Sequence, residues 1–144
     1  MDIQTVGIIG AGTMGNGIAQ ACAVAGLRAV MVDINDAAVQ KGVATVGGSL
    51  ERLVKKGKLD GADRDAALAR IQGTTNYDDL KAAQIVIEAA TENYELKLKI
   101  LKQVDAIKAI GVDEVACLID FGVDVESTLK ALELLDKVRA EFQA

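Results

Sequence analysis

The sequence predicts an α/β domain, a three-layer αβα sandwich around a five-stranded parallel sheet in strand order 3-2-1-4-5. Three observations predict it. Short apolar stretches alternate with longer amphipathic ones along the 144 residues, as successive βα units do. A glycine run sits at the first junction of apolar stretch and helix. Hydrophobic residues make up 51% of the chain, enough for one domain with a core between layers. Aromatic residues are only 3%, so that core is to be built from Val, Ile, Leu and Ala.

Taken in order, the first strand is Thr5–Ile9, followed by a helix over Thr13–Ala25 and a second strand over Ala29–Val32. A long helix runs from Asp36 to Lys56. Its apolar positions Val39, Val43, Val46, Leu50 and Leu53 alternate steps of four and three, which marks one helical face. Gly47 and Gly48 weaken it by about 2 kcal/mol relative to alanine. Asp60 is placed to cap a helix over Ala62–Ile71, with a short third strand near Thr74 and Thr75. Gln84–Ala89 reads as the fourth strand, Glu92 to Ile107 as helix, and Val115–Ile119 as the fifth strand. Asp124 is placed to cap a last helix whose face carries Leu129, Leu132, Leu135, Val138 and Phe142. Right-handed crossovers then give the strand order.

The run Gly10-Ala11-Gly12-Thr13-Met14-Gly15 links the first strand to the first helix, and Asp33 closes the second strand 18 residues after Gly15. Strand, glycine turn, helix, strand and carboxylate together form the dinucleotide-binding fingerprint of a Rossmann-like fold. Gly10 makes the tight turn, Gly12 lets backbone N–H groups approach a pyrophosphate, and Gly15 lets helix and strand pack closely. The helix N-terminus presents unpaired donors and partial positive charge to the phosphates. Asp33 can accept hydrogen bonds from the adenosine ribose hydroxyls, which favours NAD.

Composition narrows the chemistry further. No apolar run reaches the ~18 residues that span a bilayer, and the N-terminus is acidic, so neither a membrane partner nor a secretory signal is expected. The expected compartment is cytoplasmic. Cys22 and Cys117 fall inside expected elements and read as buried free thiols. Residues 1–104 hold 12 basic and 12 acidic side chains; residues 105–144 hold 4 and 9, which accounts for the whole net charge of −5. That balance excludes a nucleic-acid surface and points to two segments of different history. The chain has no proline, where an average usage of about 5% would supply roughly seven. It also has no histidine, so the commonest general base near neutral pH is lacking. No metal-ligand spacing stands out.

Some residues admit two readings. Lys55, Lys56 and Lys58 form a basic cluster, either a solvated helix end or a contact to an acyl-carrier phosphate. Glu88, near the end of an apolar strand, either pairs locally or faces the cleft, the structural role being favoured.

Val6-Gly-Ile-Ile-Gly-Ala-Gly-Thr-Met-Gly15, Val32-Asp-Ile-Asn35 and Val86-Ile-Glu-Ala-Ala-Thr-Glu-Asn93 resemble the NAD-binding domain of bacterial 3-hydroxyacyl-CoA (3-hydroxybutyryl-CoA) dehydrogenases, from the N-terminus to about Val104. The resemblance implies that Gly10, Gly12, Thr13, Met14 and Gly15 surround the pyrophosphate and that Asp33 holds the adenosine ribose. It also implies that Ala89, Ala90, Glu92 and Lys97 contact the cofactor beyond the fourth strand. Beyond Val104 the family's Asn-Thr-Ser-Ser strand end, its His–Glu catalytic pair and its helical substrate domain are not found. The stretch from Ile110 to Gly122 instead resembles the last βα unit of luciferase-like flavin monooxygenases, which are barrels. The expectation is an engineered chimera: one dinucleotide-binding domain over 1–144 with a dehydrogenase-like segment (1–104) and a grafted βα segment (105–144). It binds NAD, has no catalytic residues of its own, and is left with a face on which a homodimer could form. Two rival readings stay open. One is a scaffold that keeps the fold but binds no cofactor, with Asp120 crowding the nicotinamide half of the crevice. The other is an active oxidoreductase fragment using Lys97 or Tyr94 as base.

Overall fold

A computed structural model describes residues 3–108 and 114–117. Its first strand, β1 (Thr5–Ile9), is buried along its whole length, which is what a strand central to a parallel sheet requires of an apolar run. The chain continues through α1 (Thr13–Val24), β2 (Arg28–Val32), α2 (Asp36–Lys55), α3 (Gly61–Ala69) and β3 (Ile71–Thr74). A 3-10 helix over Tyr77–Ala82 leads to β4 (Ile85–Glu88), α4 (Tyr94–Lys108) and β5 (Glu114–Cys117). Strands pair in the order β3-β2-β1-β4-β5, and all neighbours are parallel. The fold is the expected Rossmann-like α/β arrangement.

Side-chain alternation along the strands divides the core between the two faces of the sheet. Val6, Ile8, Ala29 and Met31 meet Ala19 of α1, with Ile18, Cys22 and Val43 packed against them. Ile9, Val30, Val32 and Val86 face the other way, onto Leu80, Ala83, Ile100 and Val104. Helices α1 and α2 therefore cover one face, and the 3-10 helix with α4 covers the other. A third cluster joins Ala23, Val46, Leu50 and Ala67 where α1, α2 and α3 meet. Fully burying one such aliphatic side chain stabilises the fold by about 1.5–3 kcal/mol.

Helix α2 runs unbroken through Gly47 and Gly48. Tertiary packing outweighs their low propensity: Val39, Val46 and Leu50 are buried, and Asn35 caps the N-terminus by accepting from the Ala38 N–H at 2.9 Å. The sequence places other elements less well. Ile71 belongs to a strand rather than to the end of a helix, because β3 pairs with β2 from Ala29↔Ile71 to Val32↔Thr74. Asp60 occupies the cap position of α3, but its side chain makes no capping hydrogen bond. The 3-10 helix was not expected; Asn76 caps it by accepting from the Asp78 N–H. Its Leu80 fills the space above Gly7, where a β-carbon would lie 2.7 Å from the Leu80 Cδ2. Residues 118–119 of the expected fifth strand, Asp120, and the last helix with its cap at Asp124 lie outside the described residues.

Cys22 is half-buried, and burial raises its thiol pKa. Among the described residues no helix is long and apolar enough to cross a membrane. No group of three or more metal-ligating side chains occurs among them either.

Candidate functional site

The crevice opens at the carboxyl ends of β1, β2 and β4, where the strand order reverses, as it does for ligands in open α/β sheets generally. Gly10 turns the chain out of β1 with φ +107°, a backbone state that side chains other than glycine rarely adopt. The turn is tied down at two points, since the Gly10 N–H donates to the Val32 carbonyl at 2.7 Å and the Ala11 N–H donates to Asp33 Oδ2 at 2.6 Å. A β-carbon on Gly10 would lie 2.7 Å from the Ala90 Cα and 2.8 Å from the Ala89 oxygen. The turn after β4 therefore rests directly on the glycine loop.

The other two glycines differ in kind. A β-carbon on Gly15 would lie 2.9 Å from the Gly10 carbonyl carbon and closer still to its oxygen. Gly15 is thus where α1 presses on the turn leaving β1, with Ile8 of that strand 3.4 Å from the same β-carbon position. A β-carbon on Gly12 would meet nothing within 4 Å. Gly12 is the N-cap of α1, no side chain caps that helix, and its first turn carries no acidic residue. The first-turn N–H groups of α1 have no intrahelical acceptor, and a helix end of this kind can hold a phosphate.

A cleft of about 320 Å³ adjoins this helix end, lined by Ala11, Gly12, Thr13, Asn16, Asp33, Ala38, Lys41 and Thr45. Asp33 sits at its edge, each carboxylate oxygen accepting one backbone N–H, from Ala11 at 2.6 Å and from Ile34 at 2.7 Å. A carboxylate offers about four lone-pair sites, so acceptor capacity remains for the two hydroxyls of a ribose. Ile34, next to it, is 87% exposed.

The sequence reading missed Asn16, Ala38, Lys41 and Thr45. Positions 38, 41 and 45 recur at steps of three and four, a helical stripe beginning just after the Asn35 cap, and that stripe was the available signal. Asn16 had none. It is buried, and its Oδ1 has no hydrogen-bond partner among the described residues.

The sequence-predicted residues fall into two groups. Gly10, Gly12, Thr13, Gly15 and Asp33 come together around the α1 N-terminus, with Met14 beside them and 41% exposed. Ala89, Ala90, Glu92 and Lys97 lie on the β4 side. Ala89 and Ala90 pack on Gly10, and Glu92 is exposed. Lys97 is not a freely solvated cation: its ammonium pairs with Glu88 Oε2, and its side chain is 18% exposed. Glu88, fully buried, therefore pairs locally, the favoured one of the two roles read for it. Tyr77 lies nearby on the 3-10 helix. Burial, then the Asp33 and Glu88 carboxylates, push its phenol above its ordinary pKa. Lys55 stands at the end of α2, 3.8 Å from Glu51 and mostly in solvent. The side chain of Tyr94 lies outside the described residues.

The geometry fits a dinucleotide: donors for a pyrophosphate, an acceptor pair for a ribose, and a loop on which the remaining half can lie. Comparison with known proteins agrees. The model of the family "3-hydroxyacyl-CoA dehydrogenase, NAD binding domain" matches residues 5–111. The crystal structure of the (S)-3-hydroxybutyryl-CoA dehydrogenase of Ralstonia eutropha is 75% identical over 74% of this chain and 38% of its own, with a TM-score of 0.72. That of the Escherichia coli 3-hydroxybutyryl-CoA dehydrogenase is 34% identical over 74% of this chain and 23% of its own, also with a TM-score of 0.72. The 3-hydroxybutyryl-CoA dehydrogenase of Bradyrhizobium diazoefficiens is 33% identical over 95% of this chain and 52% of its own length. The chain thus spans about half or less of the relatives it matches. A family model that matches most of the chain, together with these relatives, shows that this chain belongs to the family of NAD-binding domains of 3-hydroxyacyl-CoA dehydrogenases.

Proposed function

We propose that the chain works as an NAD-binding module and that these 144 residues do not by themselves turn over a 3-hydroxyacyl-CoA. The pyrophosphate lies at the α1 N-terminus against Gly12, Thr13, Met14 and Gly15, and the adenosine ribose lies on Asp33. The nicotinamide half extends past β4 toward Ala89, Ala90, Glu92 and Lys97. The observation that carries this reading is the uncapped first turn of α1, opening on a cleft edged by Asp33. When bound, NAD supplies the hydride acceptor of an alcohol oxidation; the chain's own residues bind and orient it.

The proposal of inactivity rests on chemistry. Oxidising an alcohol needs a base for the hydroxyl proton, and the chain contains no histidine. Lys97, a cation on the β4 side of the crevice, is paired with Glu88. We further propose that residues 105–144 have a separate origin and make the chain an engineered chimera. The change in charge balance after residue 104 supports this. A second reading, an active dehydrogenase fragment, is favoured by the 75% identity to the Ralstonia enzyme.

One pair of experiments tests these readings. Calorimetric titration should show NAD binding, with NADP weaker because Asp33 repels a 2′-phosphate. A chain that binds neither is a scaffold only. Following NADH with acetoacetyl-CoA should show no turnover above background, and a rate of even about 1 s⁻¹ would establish the active fragment instead.

A further inference from the structure

Glu88 is the one fully buried carboxylate among the described residues, and it sits at the end of β4, a strand paired on both sides. Burying a carboxylate is unfavourable unless its oxygens are hydrogen-bonded and its charge is paired. Here they are. Oε1 accepts from the Ala90 N–H at 2.7 Å and the Thr91 N–H at 3.1 Å, and Oε2 takes the Lys97 ammonium. Glu88 shares the face of the sheet that carries Val86, against α4. An aliphatic side chain would fill that position without the desolvation penalty, so the carboxylate supplies something other than packing.

What it supplies is position. One oxygen holds the turn after β4, and that turn is the surface resting on Gly10 of the phosphate loop. The other oxygen holds the Lys97 ammonium in the first turn of α4. An ammonium has three donors, so two remain for a ligand lying over the turn. Asp33 and the α1 N-terminus account for the adenosine and pyrophosphate side of the crevice, which leaves the β4 side to the rest of the dinucleotide.

We propose that Glu88 is a positioning residue: it fixes both the Ala89–Thr91 turn and the Lys97 ammonium against the nicotinamide–ribose half of the bound dinucleotide. The proposal rests on the NAD reading above. It makes Glu88 act through Lys97 and the turn, without touching the cofactor itself.

Two ligands separate this role from a merely structural one. ADP fills the adenosine and pyrophosphate subsites alone, whereas NAD also reaches the β4 side. In the full chain, Glu88→Gln should weaken NAD about tenfold, a loss of one charge-assisted contact, and leave ADP within about twofold. Lys97→Met should weaken NAD similarly. Glutamine keeps a carbonyl oxygen that can still accept the Ala90 and Thr91 N–H groups, so the turn survives Glu88→Gln. The double variant should therefore bind NAD no more weakly than Lys97→Met alone, because both changes remove the same coupled contact. Additive losses, equal losses for NAD and ADP, or a folded Glu88→Gln with unchanged NAD affinity would each overturn the proposal. Should Glu88→Gln fail to melt cooperatively, Lys97→Arg, which keeps a cation for Glu88, is compared with Lys97→Met. The proposal requires Arg to retain most of the NAD affinity that Met loses, and equal affinities overturn it. A wild-type chain that binds neither ligand overturns the NAD reading and this proposal together. ADP binding alongside NAD affinity indifferent to Glu88 overturns this proposal alone.

Discussion

Gly12 and Gly15 are three residues apart in one motif, yet the structure assigns them opposite consequences on substitution by alanine. At Gly15 a β-carbon would press on the Gly10 carbonyl, 2.9 Å from its carbon and nearer its oxygen. Both partners are backbone, so no rotamer change relieves the clash, and α1 must move away from the turn at Gly10. Overpacking costs about 1–3 kcal/mol where side chains can adjust, and more where they cannot. We take about 3 kcal/mol as the floor for Gly15→Ala. At roughly 2–4 °C per kcal/mol for a chain of this size, the melting temperature should fall by at least 6–12 °C.

At Gly12 the β-carbon enters open space and the backbone is extended, φ −77° and ψ −168°, which alanine adopts without strain. The few tenths of a kcal/mol lost at the N-cap are offset by reduced freedom of the unfolded chain, so Gly12→Ala should melt within a few degrees of the unaltered protein. In the proposed mode of binding, the methyl group stands where the pyrophosphate approaches the α1 donors. Displacing the phosphate from one such charge-assisted bond costs about 1.5–3 kcal/mol, or ten- to a hundredfold in NAD affinity. Calorimetric titration with NAD and a circular-dichroism melt on each variant decide the matter. A Gly12→Ala protein that binds NAD normally, or a Gly15→Ala protein with an unchanged melt, would refute the roles assigned here.

Asp33→Ala should weaken NAD ten- to a hundredfold and narrow the preference against NADP. Asp33→Asn should lose less NAD affinity, since its remaining carbonyl can still hold the Ala11 or Ile34 N–H; identical losses in the two variants would contradict this. Removing residues 105–144 takes away β5 and bares the edge of β4 at Ile85–Glu88. Light scattering should then show aggregation, and a soluble monomer with a sharp thermal transition would mean β5 is dispensable. The raised phenol pKa of Tyr77 means the fold favours the neutral form. Its contribution is complete below the unfolded value of about 10 and is lost as pH rises through the higher folded value. Urea midpoints should therefore fall more steeply above about pH 10 in the wild type than in Tyr77→Phe, and parallel curves would exclude the effect.

The sequence by itself determined whatever depends on the local backbone. Gly10 is needed for a left-handed turn, Gly15 for a close approach, and Asp33 ends the neighbouring strand; each requirement follows from residue type and spacing, without knowledge of distant packing. The periodicity of Val39, Val43, Val46, Leu50 and Leu53 likewise marked α2, because burial of a helical face imprints its period on the chain.

The tertiary structure decided what depends on docking. Ile71–Thr74 has no strong signal of its own and is a strand because β2 offers it a ladder. The 3-10 helix is held where Leu80 packs over Gly7, a contact between residues far apart in sequence. Lys41 and Thr45 enter the cleft only because Gly42, whose β-carbon would lie 2.8 Å from that of Ala11, lets α2 lie against the glycine loop. Glu88 and Lys97 read separately as a strand carboxylate and a helix cation. They become one unit when α4 settles on the face of β4, because a charge at the end of a buried strand is stable only where a second element brings it a partner.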